Sequence, residues 1–341
     1  MTQPYPFSAI VGQDDMRLAM ILTAIDPGIG GVLVFGDRGT GKSTAVRGLA
    51  ALLPSIERVE SCPTNAETLD DCPDWAELGS TKIVKTSTPV VDLPLGVTED
   101  RVLGALDIER ALTRGEKAFQ PGLLAAANRG YLYIDEVNLL EDHIVDLLLD
   151  VAQSGENVIE REGLSIRHAA KFVLIGSGNP EEGDLRPQLL DRFGLSVEVT
   201  TPRDIDDRVE VVKRRQSFET DHAAFMKRWR AADTRIRKKI LAARNRLSET
   251  ATPDATLRDA SGLCIALGSD GLRGELVLLR AARALAAYEG AVEVSQGHLR
   301  RLATMVLSHR LRRDPLDEAG SGVRIARAMA EHFGPTLAAA E

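Results

Sequence analysis

The sequence predicts an α/β protein: a parallel sheet with flanking helices, followed by a smaller all-α C-terminal domain. Three observations predict it. The apolar run Val32-Leu33-Val34-Phe35 feeds Gly36-Asp37-Arg38-Gly39-Thr40-Gly41-Lys42-Ser43, which fits G-x-x-x-x-G-K-[ST], and residues 43–53 read as a helix stopped by Pro54. A second apolar run, Tyr131-Leu132-Tyr133-Ile134, ends in the adjacent acids Asp135 and Glu136. From residue 216 onward the chain reads as helices, rich in Ala and Leu.

A strand that feeds a glycine turn and opens a helix is the setting a phosphate loop requires. Its glycines let the backbone bend and aim N–H groups at an anion, and the helix N-terminus adds its positive dipole end. Lys42 can reach β- and γ-phosphates, and Ser43 can hold Mg²⁺. In a parallel α/β sheet the ligand crevice lies at the carboxyl ends of the strands, which brings Asp135 and Glu136 toward the loop. There Asp135 can hold Mg²⁺ and Glu136 can polarise an attacking water.

The other elements follow in order. Asp14 or Asp15 caps a helix carrying Met16, Leu18, Ile21, Leu22 and Ile25, ended by Pro27-Gly28. Residues 57–95, punctuated by Pro63, Pro73, Pro89 and Pro94, read as surface loops with one short strand near Ile83-Val84. Residues 96–112 predict one helix with Val102, Leu103, Leu106, Ile108 and Leu112, and 119–130 a turn with a short helix. Residues 139–153 predict an apolar helix, and 154–166 a hairpin turning at Arg161-Glu162-Gly163. Phe172-Val173-Leu174-Ile175 is a buried strand whose tip carries Asn179, an amide able to orient a water. Residues 185–193 read as a short helix and 196–199 as a last strand. Residues 208–247 form a basic helical stretch with Phe225, Trp229, Ile236 and Ile240 as its apolar stripe; we read its charges as a solvated face or a subunit contact. Helices at 276–288 and 295–307 follow Gly271-Leu272-Arg273-Gly274, and the residues from 334 on are expected to fray.

Composition narrows the function classes. The formal charge is −8, from 42 basic and 50 acidic residues, which argues against a chain built to grip nucleic acid. No apolar run reaches the roughly 18 residues of a membrane span, and residues 1–8 show no leader pattern, so the expected location is cytoplasmic. The chain has three cysteines, Cys62, Cys72 and Cys264; nothing near Cys62 and Cys72 completes a zinc set, and those two read as free surface thiols.

The phosphate loop, Asp135-Glu136, Asn179, Arg192 and Arg273, in that order, resemble an AAA+ ATPase. Ile10-Val11-Gly12-Gln13, Asp92-Leu93-Pro94-Leu95-Gly96 with Thr98-Glu99-Asp100-Arg101, residues 119–128, and Tyr133 through Leu140 resemble more closely the subunit I family of magnesium chelatases. Nearly the whole chain takes part. The resemblance implies an AAA+ domain over residues 1–215, with a helix insertion at about 86–115 and a β-hairpin insertion at about 156–168. A linker helix and helical lid then span 216–341. It implies ATP and Mg²⁺ as cofactors. Gly36, Asp37, Arg38, Gly39, Thr40, Gly41, Lys42, Ser43, Thr44 and Val11 would bind the nucleotide, and Ser43 and Asp135 the metal. Glu136 would activate water, and Asn179 would sense the γ-phosphate. Arg192 would be the finger reaching a neighbouring subunit's ATP, and Arg273 the second sensor. It further implies a ring, a hexamer, that hydrolyses ATP to drive insertion of Mg²⁺ into protoporphyrin IX together with subunits D and H, in chlorophyll or bacteriochlorophyll synthesis. Nothing here resembles a porphyrin pocket, in keeping with that division of labour.

The nearest rivals are a MoxR-type remodelling ATPase, which shares the motifs but should lack the run from Asp92 to Arg101, and a cobaltochelatase ATPase subunit. A helicase-like motor is opposed by the net charge, and a GTPase by the absence of Asn-Lys-x-Asp.

Overall fold

Short apolar runs bounded by glycine, proline or acid become the strands of one sheet, and the periodic stretches between them become its helices. The computed structural model describes residues 4–37, 39–161, 164–179, 183, 185, 187–269, 271–311 and 320–334. Arg38 of the phosphate loop, the hairpin turn at Glu162-Gly163, and residues 335–341 lie outside the described residues.

The first elements are α1 (Asp14–Ile25), β1 (Val32–Gly36), α2 (Lys42–Leu52), β2 (Ile56–Val59), β3 (Ile83–Thr86) and β4 (Val90–Leu93). Next come α3 (Glu99–Leu103), β5 (Gly104–Leu106), α4 (Ile108–Arg114), β6 (Phe119–Pro121), α5 (Leu123–Ala127), β7 (Tyr131–Ile134) and α6 (Asp142–Ser154). β8 (Glu156–Arg161) and β9 (Leu164–Ala169) are followed by β10 (Val173–Gly178), α7 (Pro187–Leu190) and β11 (Leu195–Val199). The remainder is helical: α8 (Ile205–Thr220), α9 (His222–Arg246), α10 (Asp254–Leu267), α11 (Arg273–Glu289), α12 (Gln296–Leu307) and α13 (Ser321–Phe333).

The main sheet has the order β11-β1-β10-β7-β4. Pairing is parallel between β10 and β7 and between β4 and β7. β1, which carries the loop, is thus separated from β7, which carries the acids, by β10. All four residues of β7 and all six of β10 are buried, as expected for strands covered on both faces. β8 and β9 pair antiparallel from Glu156↔Ala169 to Arg161↔Leu164, so the expected hairpin forms.

Contacts divide the chain into two compact units. One comprises Met1–Gln13, Val34–Asp184 and Val199–Arg237; the other comprises Asp14–Leu33, Leu185–Glu198 and Lys238–Glu341. In the first, Phe7, Val34, Leu49, Leu132, Ile134 and Ile175 are fully buried. In the second, Met20, Leu22, Phe193, Leu278, Leu299 and Leu302 are. Fully burying one such side chain stabilises by about 1.5–3 kcal/mol.

Four expectations are corrected. Residues 57–95 hold more than one strand. β2 pairs with β3, and β4, hidden between Pro89 and Pro94, joins the main sheet with Val90 opposite Tyr131. The single helix expected over 96–112 is broken into α3 and α4. Gly104 sits at φ 108°, outside the helical range, and a Cβ there would lie 2.4 Å from the Phe119 ring. Instead β5 pairs with β6, and the Asp107 carboxylate restarts the helix by accepting from the Arg110 N–H at 3.0 Å. The basic helix over 208–247 is interrupted at Asp221, whose carboxylate accepts from the Ala224 N–H at 2.9 Å and so starts α9. Of the two loop cysteines expected at the surface, Cys62 is buried; Cys264 is buried as well. Cys62 packs with Val59 and Ala66, with Cys72 against them. Burial raises the Cys264 thiol to about 12.

No helix among the described residues is long and apolar enough to cross a membrane.

Candidate active site

In the first unit, three strand ends converge. β1 ends at Gly36 with φ 148°, where an added Cβ would lie 1.8 Å from the Val199 carbonyl oxygen; only glycine lets the chain turn out of the strand there. Gly39 and Gly41 continue the bend at φ 80° and 85°, and Thr40 Oγ1 donates to the Asp37 carbonyl at 2.8 Å. Gly41 precedes the first turn of α2, so the N–H groups of Lys42, Ser43 and Thr44 form the helix N-terminus. Lys42 Nζ donates to the carbonyls of Gly36 at 2.5 Å, Asp37 at 3.3 Å and Gly178 at 3.4 Å. Gly178 is the last residue of β10, so the ammonium bridges the loop and the neighbouring strand tip next to Asn179.

β7 brings the acids to the same end. Asp135 Oδ1 accepts from Ser177 Oγ at 2.7 Å and from the Tyr133 hydroxyl at 3.0 Å. Ser177 Oγ in turn accepts from the Glu136 N–H at 3.2 Å. Glu136 lies in the left-handed region at φ 56°, ψ 58°, a costly conformation for a residue with a Cβ and one that clusters at functional sites. Burial raises the Tyr133 phenol, which therefore keeps its proton and donates to the carboxylate. Asn138 Nδ2 donates to the Asn179 carbonyl at 3.4 Å, and Asn179 is itself buried. Ser177 and Asn138 escaped the sequence reading because nothing in a one-dimensional pattern pairs them with residues about 40 positions away. Val11 follows the short 3₁₀ turn Phe7–Ala9, in the stretch whose Gln13 Nε2 donates to the Thr200 carbonyl at 2.9 Å.

Loop and acids together suit a nucleoside triphosphate with Mg²⁺. Backbone N–H groups and an ammonium match phosphate, while a hydroxyl and a carboxylate are hard oxygen donors of the kind Mg²⁺ takes.

The two arginines lie in the second unit, and the structure brings them to one cluster. Arg192 sits in the turn after α7 and is partly exposed. Its neighbour Asp191 takes Arg273 Nη1 at 2.8 Å, and the Arg310 Nε lies 3.3 Å from the other carboxylate oxygen. His309, beside Arg310, places Nε2 3.0 Å from the Phe193 carbonyl. Burial, with Arg310 adding to it, pulls this imidazole from 6.5 down to about 3, so it is neutral in the folded protein. The unfolded chain protonates it below about 6.5, and the folded chain does not follow until about pH 3. Its stabilising contribution is therefore complete above pH 6.5 and lost as pH falls, by about 2 kcal/mol at pH 5. Urea unfolding at pH 7 and pH 5 should show this loss in the wild type and not in His309→Gln. An equal loss in both would refute the assignment.

The sheet order, the phosphate loop with its strand-end acids, and the helical C-terminal region define a P-loop ATPase of the AAA+ class. The family described as magnesium chelatase, subunit ChlI, matches residues 107–188, and an AAA lid domain matches residues 257–329. The magnesium-chelatase 38 kDa subunit of Cereibacter sphaeroides is 73% identical over 331 residues, covering 97% of this chain and 99% of that one. A structure of the complex between subunits BchI and BchD of magnesium chelatase matches at 70% identity and TM-score 0.58, covering 92% of this chain and 98% of that one. A solved structure from Cytophaga hutchinsonii shares the fold at TM-score 0.67 and 15% identity, covering 95% of this chain and 91% of that one. The chain belongs to the magnesium chelatase subunit I family.

Proposed function

We propose that this chain is the ATP-hydrolysing subunit of a magnesium chelatase, whose turnover drives partner subunits to insert Mg²⁺ into protoporphyrin IX on the way to chlorophyll or bacteriochlorophyll. The observation that carries the reading is the meeting of β1, β10 and β7 at one end of the sheet, with Lys42 bonded to Gly178 and Ser177 bonded to Asp135. The family supplies the reaction that this ATPase serves; the MoxR-type and cobalt-inserting alternatives are not favoured.

In this reading residues 36–44 and Val11 bind ATP, and Ser43 and Asp135 hold its Mg²⁺. Bound there, the ion would neutralise charge on the β- and γ-phosphates. Glu136 polarises the attacking water, and Asn179 orients it against the γ-phosphate. Arg192 stabilises the charge that spreads over the transferring group in a neighbouring protomer, and Arg273 does so within its own. Hydrolysis therefore depends on assembly: the working form is a ring, a hexamer, that acts with subunits D and H, in the cytoplasm and without nucleic acid. Residues 1–215 form the nucleotide-binding domain with its two insertions, and residues 216–341 form the linker helix and lid.

Ser177→Ala removes the hydroxyl that orients Asp135 and receives the Glu136 N–H. Turnover should fall about 10- to 100-fold, with the Mg²⁺ requirement raised. Phosphate release titrated against Mg²⁺ reads both, and an unchanged titration would remove Asp135 from the metal site. The test of the whole reading is reconstitution with active D and H subunits, ATP, Mg²⁺ and protoporphyrin IX, following the absorbance of the metallated product. No product with partners of proven competence would overturn it.

A further inference from the structure

We propose that Arg310 is a positioning residue for Arg192: it holds the turn that presents the finger to the neighbouring protomer. This rests on the reading of Arg192 as that finger.

The Arg310 side chain is 2% exposed. Its Nη2 donates to the Asp191 carbonyl at 3.1 Å and the Phe193 carbonyl at 2.6 Å, and its Nη1 to the Gly194 carbonyl at 3.1 Å. Nη1 also bonds the Val306 carbonyl one helical turn back. One guanidinium thus grips the backbone on both sides of Arg192. The Asp191 carbonyl belongs to the peptide whose N–H is that of Arg192, and this N–H donates to the Leu189 carbonyl at 3.2 Å. Both ends of that peptide are bonded, which restricts the direction in which the Arg192 side chain leaves the chain.

The rest of the turn is anchored independently. Phe193 is fully buried, and Gly194 presses so closely on Ile29 that a Cβ would lie 2.0 Å from the Ile29 carbonyl oxygen. Arg310 is therefore not needed to keep the turn in the core; what it adds is the orientation of residue 192. Three carbonyls in one turn ask for several donors diverging in a plane, which a guanidinium supplies and an ammonium does not. Burial pulls Arg310 down to about 10, still a cation at neutral pH, and the Asp191 carboxylate offsets that charge while also holding Arg273. Arg273 is held separately, its Nη1 donating to the Asp191 carboxylate at 2.8 Å.

The experiment uses Arg310→Lys and Arg310→Met in the assembled full-length protein. Either variant should bind nucleotide within about twofold of wild type and turn over at least about tenfold more slowly. Because the defect lies in what a protomer offers its neighbour, mixing with Lys42→Ala protomers should restore turnover about fivefold over the variant alone. The Lys42→Ala partner has no turnover of its own but an undisturbed Arg192. A variant with wild-type turnover overturns the inference. So does a loss that mixing fails to restore, and so does a chain that folds with neither substitution, since Arg310 then serves only the fold. Arg192→Ala is run beside them. If that ring hydrolyses ATP normally, the finger reading itself is wrong; if it is dead while both Arg310 variants are active, only the positioning role falls.

Discussion

Lys42→Ala should abolish ATP hydrolysis, lowering turnover by at least about 10³-fold. The ammonium is the one side-chain cation within the described phosphate loop, and its three carbonyl partners at Gly36, Asp37 and Gly178 hold it at the meeting of β1 and β10. An alanine there removes the charge proposed to draw the β- and γ-phosphates and also the bridge between loop and strand tip. The fold should survive, because Ala is a better helix former than Lys at the start of α2 and because Ala45, Val46 and Leu49 carry that helix's packing. Phosphate release, equilibrium nucleotide binding and the thermal unfolding midpoint separate the outcomes. Residual turnover above about a tenth of wild type in a folded protein would mean that the loop is not the catalytic phosphate site.

Arg192→Ala carries the second large effect, and its signature differs. A finger supplied to another protomer is worth about 10³- to 10⁵-fold in turnover, with little effect on ATP binding by its own protomer. The variant should therefore bind nucleotide like the wild type, assemble, and hydrolyse at least about 10³-fold more slowly. Its backbone position is secured by Phe193 in the core and by the Asp191 contacts to Arg273 and Arg310, so truncating the partly exposed side chain should leave the turn in place. Concentration dependence gives a further check: wild-type turnover per protomer should rise as the ring assembles. Full activity of a dilute, monomeric wild type would dismiss the shared site.

Much of the active end was legible because its parts are contiguous. A phosphate loop needs its glycines, lysine and hydroxyl side by side, so Gly36 through Ser43 announce themselves, and Asp135-Glu136 are read from the apolar strand they end. The groups that aim those residues were not legible. Ser177 meets Asp135 only because β10 lies beside β7, with Ile175 opposite Tyr133 and Gly176 opposite Ile134. β4 could not be told from a loop, since four residues between two prolines become a strand only when β7 offers its edge. The break between α3 and α4 was hidden for the same reason: Gly104 leaves the helical conformation to pair with Pro121, a partner 17 residues away.

By itself the amino-acid sequence determined the fold class, the phosphate loop, the acids after β7 and most helix positions. Each is set by neighbours in the chain, through periodicity, capping and the backbone freedom of glycine. Tertiary structure alone decided which side chains orient those groups. Arg310 reaches the Asp191 carbonyl across 119 positions, and Ser177 reaches Asp135 across 42. A hydrogen bond works over about 3 Å in space at any separation along the chain, so only the folded arrangement of strands and helices selects its partners.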